Sequence, residues 1–275
     1  VTPPWLEPPS VNRNGICSPP PTRQSPRQIS VSAMPTCDTV TVAAHEDGCY
    51  TLECDDPTLP RDGSNLVLQA AKALNKAAGT NYGAEITLVK RIPAGAGLGG
   101  GSSNAAATLK LLNQMWDTRL PAAELARLGA GLGSDVPLFF QGPTCVLRGR
   151  GEKVDTLPPL PAYWAAVVLP ALHCATPTVY QEWDRTPRHP VRCPIEEVLG
   201  ARRPAAQFME ELFNDLEEPA FRVVPELGDL AHHIADVTGQ AVRMTGSGSA
   251  LFRLFDDPQA ASRFALKVGT ECSVR

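Results

Sequence analysis

The sequence has no run approaching the ~18 consecutive apolar residues that a membrane-spanning helix needs, which sets that class aside. Near its first residues it has no charged segment followed by an apolar one. That argues against export and makes the cytoplasm the expected location. Excess positive charge is missing too. With a formal net charge of −4, no bulk attraction draws the chain to nucleic acid or to an anionic membrane, and neither is expected as a partner. The eight cysteines are Cys17, Cys37, Cys49, Cys54, Cys145, Cys174, Cys193 and Cys272, and no pair has the C-x-x-C spacing of a zinc site or redox dithiol. All eight read as reduced thiols. His45, His173, His189, His232 and His233 show no metal spacing, and the adjacent last pair reads as a helix surface. No internal repeat is visible, and nothing in the sequence reports the oligomeric state.

What is present is enough chain, 275 residues, to bury a sizeable core in one large domain or two lobes. Residues 1–28 stand apart: eight of the 27 prolines fall there among Ser, Arg, Asn and Gln, with no helical or strand period. Such a stretch buries too little apolar surface to offset its ordering entropy, so disorder is expected. From Ile29 the text becomes globular. Residues 38–43 alternate and are β-branched, as in a strand, and residues 49–53 read as a hairpin partner. Asn65 opens a helix with Val67, Ala70, Ala71, Leu74 and Ala78 on one face, and residues 84–90 alternate again. Ala105, Leu109, Leu112 and Trp116 mark a second helix, and a third covers residues 122–128. Strands follow near 143–149 and 163–169, then three or four helices, strands near 241–245 and 249–255, and a helix near 258–267. Strands mixed irregularly with helices favour α+β over a doubly wound sheet.

The strongest signal is Ile92-Pro93-Ala94-Gly95-Ala96-Gly97-Leu98-Gly99-Gly100-Gly101-Ser102-Ser103-Asn104, with five glycines in seven positions. Missing Cβ atoms let the backbone turn sharply and approach a ligand. Ser102, Ser103 and Asn104 read as capping residues of the next helix, whose free N–H groups and dipole favour an anion by roughly 0.3–1 kcal/mol from the dipole alone. The hydroxyls of Ser102 and Ser103 are within reach of a phosphate or its Mg²⁺. A flexible turn is the bland alternative, and a run this dense explains it poorly. Gly95, Gly97 and Gly100 also satisfy the dinucleotide fingerprint, but Asp117 follows a helix with no parallel strand before it. A Walker loop needs Gly-Lys-Ser/Thr, and no lysine stands there.

This loop resembles the second motif of the GHMP kinases. Ala105-Ala106 and Leu112-Asn113-x-x-Trp116 extend the likeness toward members acting on a cytidine-diphosphate-linked methylerythritol, on a route to isoprenoid precursors. Gly131-Leu132-Gly133-Ser134-Asp135-Val136-Pro137-Leu138-Phe139-Phe140 is similar to the segment carrying the family's catalytic aspartate. Asn214-Asp215-Leu216-Glu217 and Met244-Thr245-Gly246-Ser247-Gly248-Ser249-Ala250-Leu251-Phe252 are similar to two further signatures, so the likeness covers roughly residues 29–270. It implies a two-lobed α+β fold, with a ribosomal-protein-like N-terminal lobe over residues 29–157 and an α/β-sandwich lobe over residues 158–275. It implies ATP and Mg²⁺ as cofactors and a small-molecule alcohol as substrate.

By the same resemblance Asp135 is the general base, although by itself it reads equally as a turn or N-cap residue before Pro137. Pro93 to Asn104, with Asn65, would hold the nucleotide, Ser103 would reach the metal, and Gly246, Ser247 and Gly248 would close over the substrate. A plain hairpin turn is the alternative for the last three. Another acceptor of the family, of homoserine or mevalonate type, is the nearest rival substrate. The cluster Glu210, Glu211, Asp215, Glu217 and Glu218 reads as a solvated face with some capping.

The family's opening strand, approximately P-A-K-x-N-L, and the Gly-Tyr-His after it have no counterpart here. The lysine assists phosphoryl transfer and the Tyr and His hold cytidine, while the Pro-rich stretch Val1 to Pro26 stands in their place. Two expectations follow: residues 1 to about 27 arise from a frame or start-site error, or the chain is a pseudokinase that binds nucleotide only. At the other end, Arg275 is expected to lie inside a last strand.

Overall fold

Alternating and helically spaced residues resolve into the following elements in the computed structural model, which describes residues 29–32, 37–45, 48–141, 144–148, 153–157, 162–185 and 203–272. In chain order they begin with β1 (Ile29–Ser32), β2 (Thr39–His45), β3 (Tyr50–Cys54), α1 (Leu66–Ala78), β4 (Gly83–Val89), α2 (Gly100–Met115) and α3 (Ala122–Ala130). A 3-10 turn (Val136–Phe140) precedes β5 (Cys145–Arg148), β6 (Lys153–Thr156) and β7 (Trp164–Pro170). Helices α4 (Thr176–Arg185), α5 (Ala205–Glu211), α6 (Glu217–Val223) and α7 (Pro225–Thr238) lead to β8 (Arg243–Met244), β9 (Leu251–Phe255) and α8 (Pro258–Glu271). The expected disorder over residues 1–28 and the expected last strand at Arg275 lie outside the described residues.

The chain divides into two units, which part near the expected residue 157, while β1 and residues 95–98 join the later unit. One unit takes residues 35–94 and 99–159; the other takes residues 1–34, 95–98 and 160–275. Strand β1 belongs with the second because its backbone groups pair with β7, Ile29 opposite Pro170 and Ser32 opposite Val167.

In the first of these units the sheet runs β2-β4-β3, with β4 antiparallel to β2 and parallel to β3. The expected hairpin between β2 and β3 is therefore wrong. Strand β4 inserts between them, and helix α1 supplies the crossover that a parallel pair requires. Ala84, Ile86 and Leu88 of β4 are buried while Glu85 and Thr87 are exposed, so one face of the sheet is dry. Helices α1 and α2 cover that face with Val67, Ala70, Ala71, Leu74, Ala105, Leu109 and Leu112. Helix α1 starts where expected. The Asn65 carboxamide oxygen accepts from the Val67 N–H at 3.0 Å, and Gly79 ends the helix at φ 66°, its N–H donating to the Asn75 carbonyl. Strands β5 and β6 form a separate antiparallel pair.

The second unit is a four-stranded sheet, β1-β7-β9-β8, every neighbour antiparallel. Ala166 and Val168 of β7 and Leu251 of β9 point into a core completed by Val179, Leu227, Ile234, Phe264 and Val268 from the helices. Six cysteines among the described residues are free thiols, as expected: Cys37 and Cys49 exposed, Cys54, Cys174 and Cys272 buried, Cys145 intermediate. Cys17 and Cys193 lie outside the described residues. Among the described residues no helix is long and apolar enough to cross a membrane.

Leu109 is fully buried between α1 and the sheet. Leu109→Ala is expected to destabilise this unit by about 2–5 kcal/mol, through lost burial and the cavity left behind; denaturant unfolding measures it.

Candidate active site

The glycine run crosses from one unit to the other between Leu98 and Gly99, so each half has its own surroundings. Gly95 to Leu98 lie with the second unit, against the turn at residues 245–250. Ala250 donates its N–H to the Ala96 carbonyl at 3.1 Å, and the Thr245 hydroxyl donates to the Gly97 carbonyl at 2.9 Å. Gly97 adopts φ +74°, and a Cβ there would stand 2.3 Å from the Thr245 carbonyl oxygen. No other residue fits. The structure thus brings together two of the expected sites, Gly95–Leu98 and Gly246–Gly248, around a shared set of backbone bonds.

Those bonds are held in turn by the Asn214–Glu217 segment. The Asn214 amide donates to the carbonyls of Met244 and Gly246 at 2.9 and 2.8 Å, and its oxygen accepts from the Leu216 N–H at 3.0 Å. Glu217 accepts from the Met244 N–H at 2.7 Å and lies 3.5 Å from Arg243. The expected solvated acidic face is therefore corrected at Glu217, whose side chain is only 16% exposed. Burial pushes its carboxyl above the usual range, against the opposing pull of the Met244 N–H and Arg243. Glu210, Asp215 and Glu218 do face solvent. Under the turn, a Cβ on Gly248 would meet the Met244 and Cys174 sulfurs at 2.9 and 3.0 Å. Burial pushes the Cys174 thiol up to about 11. The Ser247 hydroxyl bonds that of Thr176 at 2.7 Å, and the His173 ring approaches Gly95. Sequence reasoning passed over Thr176 and His173 because neither belongs to a spacing pattern.

Gly99 to Asn104 lie with the first unit and differ from expectation. Helix α2 begins at Gly100, two residues before the serines, because Gly99 at φ +69° swings the chain into the helix and takes the N-cap position with no side-chain cap. Ser102 and Ser103 thus stand inside the first turns. The first intrahelical bond at this end is Ser103 N–H to the Gly99 carbonyl at 2.9 Å. The N–H groups of Gly100, Gly101 and Ser102 precede it and have no partner within the helix, and the first turn holds no acidic side chain. The Ser102 hydroxyl makes no hydrogen bond to any described residue, while that of Ser103 donates to the Gly100 carbonyl at 2.8 Å. Free donors without a competing carboxylate suit an anion.

The two expected asparagines serve the frame. Asn65 caps α1 and also donates to the Pro60 carbonyl at 2.8 Å. Asn104 is 4% exposed and donates to Asp38 at 2.9 Å. Asp38 and Lys90 form a buried ion pair at this point, which sequence reasoning missed.

Asp135 occupies the N-cap position of the 3-10 turn, yet its side chain makes no capping bond. Val136 anchors the segment, fully buried against Gly129, and Phe139 reaches Gly99 at the start of α2. The Asp135 carboxyl opens to solvent, but the protein mass around it desolvates the charge and raises its pKa above the usual carboxylate value. Among the described residues no group of three His, Cys, Asp or Glu is placed to hold a metal. Mg²⁺ held largely by substrate phosphates needs few protein ligands, and the Ser103 hydroxyl, while donating to the Gly100 carbonyl, keeps oxygen lone pairs that can accept a cation.

Two family descriptions match this chain: the GHMP kinases N terminal domain over residues 65–143 and the GHMP kinases C terminal region over residues 197–274. A protein of Moorella thermoacetica, named 4-diphosphocytidyl-2-C-methyl-D-erythritol kinase, is 40% identical over 221 residues, 79% of this chain and 77% of the relative. The chain belongs to the GHMP kinase family. A Cupriavidus metallidurans protein of the same name is 35% identical over 234 residues, covering 85% of this chain and 77% of that one. Among solved structures, a 4-(cytidine 5'-diphospho)-2C-methyl-D-erythritol kinase superposes with a TM-score of 0.67 at 36% identity, covering 85% and 82% of the two chains. The Methanococcus jannaschii mevalonate kinase reaches 0.66 at 14% identity, which speaks for the shared two-lobed α+β fold alone.

Asn214→Ala strips the carbonyls of Met244 and Gly246 of a partly buried donor. The expected cost is about 1–3 kcal/mol for each group left unsatisfied, read by denaturant unfolding.

Proposed function

We propose that this chain is an ATP-dependent kinase that phosphorylates the 2-hydroxyl of 4-diphosphocytidyl-2-C-methyl-D-erythritol, giving the 2-phosphate and ADP. The observation that carries the reading is Asp135, a solvent-facing carboxylate with a raised pKa at a capping position that leaves the cap unmade. A carboxyl with its pKa raised toward the working pH is a better proton acceptor than an ordinary surface aspartate. The relatives named for this reaction support the choice of substrate over a homoserine or mevalonate acceptor.

Asp135 takes the proton from the acceptor hydroxyl as that oxygen bonds to the γ-phosphorus. The bond from that phosphorus to the β,γ-bridging oxygen breaks, and the electron pair leaves with ADP. The amides of Gly100, Gly101 and Ser102 bind phosphate oxygens, helped by the α2 dipole and the Ser102 hydroxyl. Ser103 would supply a ligand to Mg²⁺, whose charge offsets the phosphate charge when bound. Gly246 to Gly248 face the acceptor side. Asn65 and Asn104 hold the local backbone. Phosphoryl transfer asks chiefly for positioning and charge neutralisation, so one base and a phosphate cradle suffice as protein contributions.

The test is phosphoryl transfer from ATP by the full chain with Mg²⁺ and 4-diphosphocytidyl-2-C-methyl-D-erythritol, with cytidine diphosphate as competitor. Turnover inhibited by cytidine diphosphate supports the assignment; nucleotide binding without turnover leaves the pseudokinase; turnover indifferent to cytidine points to another acceptor. Because the Asp135 pKa is raised, its ionised form is lost on acidification earlier than for an ordinary aspartate. The kcat/KM is expected to fall on an acid limb above the usual carboxylate range. Asp135→Asn should cut kcat by about 10²–10⁴-fold and abolish that limb.

A further inference from the structure

The β2/β4 register sets Thr39 opposite Val89, which places the residue before β2 opposite the residue after β4. Those residues are Asp38 and Lys90, and they form an ion pair with side chains 3% and 7% exposed. Asp38 does more than pair. Its Oδ1 accepts the N–H groups of Arg91 and Ile92 at 2.7 and 2.8 Å, where the chain leaves β4 toward the glycine run. Its Oδ2 accepts both the Lys90 ammonium and the Asn104 amide of α2, the latter at 2.9 Å. Burial opposes ionisation, but these four donors outweigh it and hold the Asp38 carboxyl below the usual range.

One carboxylate therefore ties three pieces of backbone together: the entry to β2, the exit of β4 and the second turn of α2. The Lys90 ammonium lies beneath the helix start, 3.3 Å from where a Cβ of Gly100 would be. A lone carboxylate there would repel a phosphate at the N-terminus of α2; paired with Lys90 it contributes geometry with little net charge.

We propose that Asp38 is a positioning residue of the nucleotide site, clamping the exit of β4 to α2 so that the amides of Gly100, Gly101 and Ser102 are preset for the phosphates. The proposal rests on the nucleotide-binding reading of the glycine run. It separates from an electrostatic role by the sign of one result. Asp38→Asn removes a negative charge beside the anion site, so electrostatics alone would tighten ATP binding. Loss of the clamp weakens it instead, because the asparagine NH₂ replaces one of the two accepting oxygens with a donor, so the four donors can no longer all be met.

The experiment compares the wild-type chain with Asp38→Asn and Asn104→Ala by MgATP titration calorimetry, steady-state kinetics and thermal unfolding. Misplaced binding groups cost one to two orders of magnitude, so the expected result is a rise of about tenfold or more in Kd and KM for ATP with Asp38→Asn. KM for the alcohol acceptor should change by less than about twofold, and Asn104→Ala should reproduce the pattern more weakly. Tighter ATP binding by Asp38→Asn overturns the proposal. So does an unchanged Kd for ATP, or a fall in activity that only tracks the fraction folded. Should Asp38→Asn fail to fold, Asn104→Ala decides alone: an unchanged Kd for ATP overturns the proposal. A wild-type chain that binds no MgATP rejects the nucleotide reading first, and this proposal falls with it.

Discussion

Strand β4 is paired along both edges, antiparallel to β2 and parallel to β3, and its inward residues are sealed under α1 and α2. A strand held on both sides cannot slip by one residue without turning its buried face to water. That constraint fixes where the strand ends, and the strand's end fixes where the glycine run begins. Asp38 and Lys90 come opposite one another only because the register is locked. The helix start at Gly100 follows from the same constraint, since Ile92 packs where a Cβ of Gly100 would sit. The geometry at the start of α2 is thus an extension of sheet packing.

The second unit holds its glycine turn by a different physical route. There the loop at Gly95–Leu98 and the turn after β8 are joined by backbone bonds, and the Asn214–Glu217 segment satisfies the polar groups that remain. Few of the groups involved are charged. Where charge does occur, at Glu217, burial works against its ionisation and the bond to the Met244 N–H works for it. The start of α2 is organised by one buried ion pair, and the Gly246–Gly248 turn by mostly neutral hydrogen bonds.

Much of this was legible in the residues. Ala105, Leu109, Leu112 and Trp116 all prove buried, because a helix packed on a sheet needs one apolar face. The Asn65 cap and the strands near 84–90 and 163–169 were equally plain. Pairing was not. Alternation in β2 and β3 signals strands but carries no record of partners, so β4 slipped between two segments expected to form a hairpin. The start of α2 was misjudged because serine is a common cap, whereas the positive φ of Gly99 turns the chain earlier. Asp38 was invisible for a deeper reason: its meaning depends on Lys90, 52 residues away, and that proximity exists only once the register is known. The place of β1 was hidden likewise, since it pairs with a strand from the far half of the chain.

The sulfur atoms beneath Gly248 carry a consequence for any attempt to improve this protein. Cys174 and Met244 belong to the hydrophobic core of their unit, yet they are also the floor on which the Gly246–Gly248 turn rests. Redesign that enlarges or shrinks either side chain for thermostability would lift or drop that floor. At these two positions the packing of the core and the shape of the turn are one property of the molecule, and selection for the first necessarily samples the second.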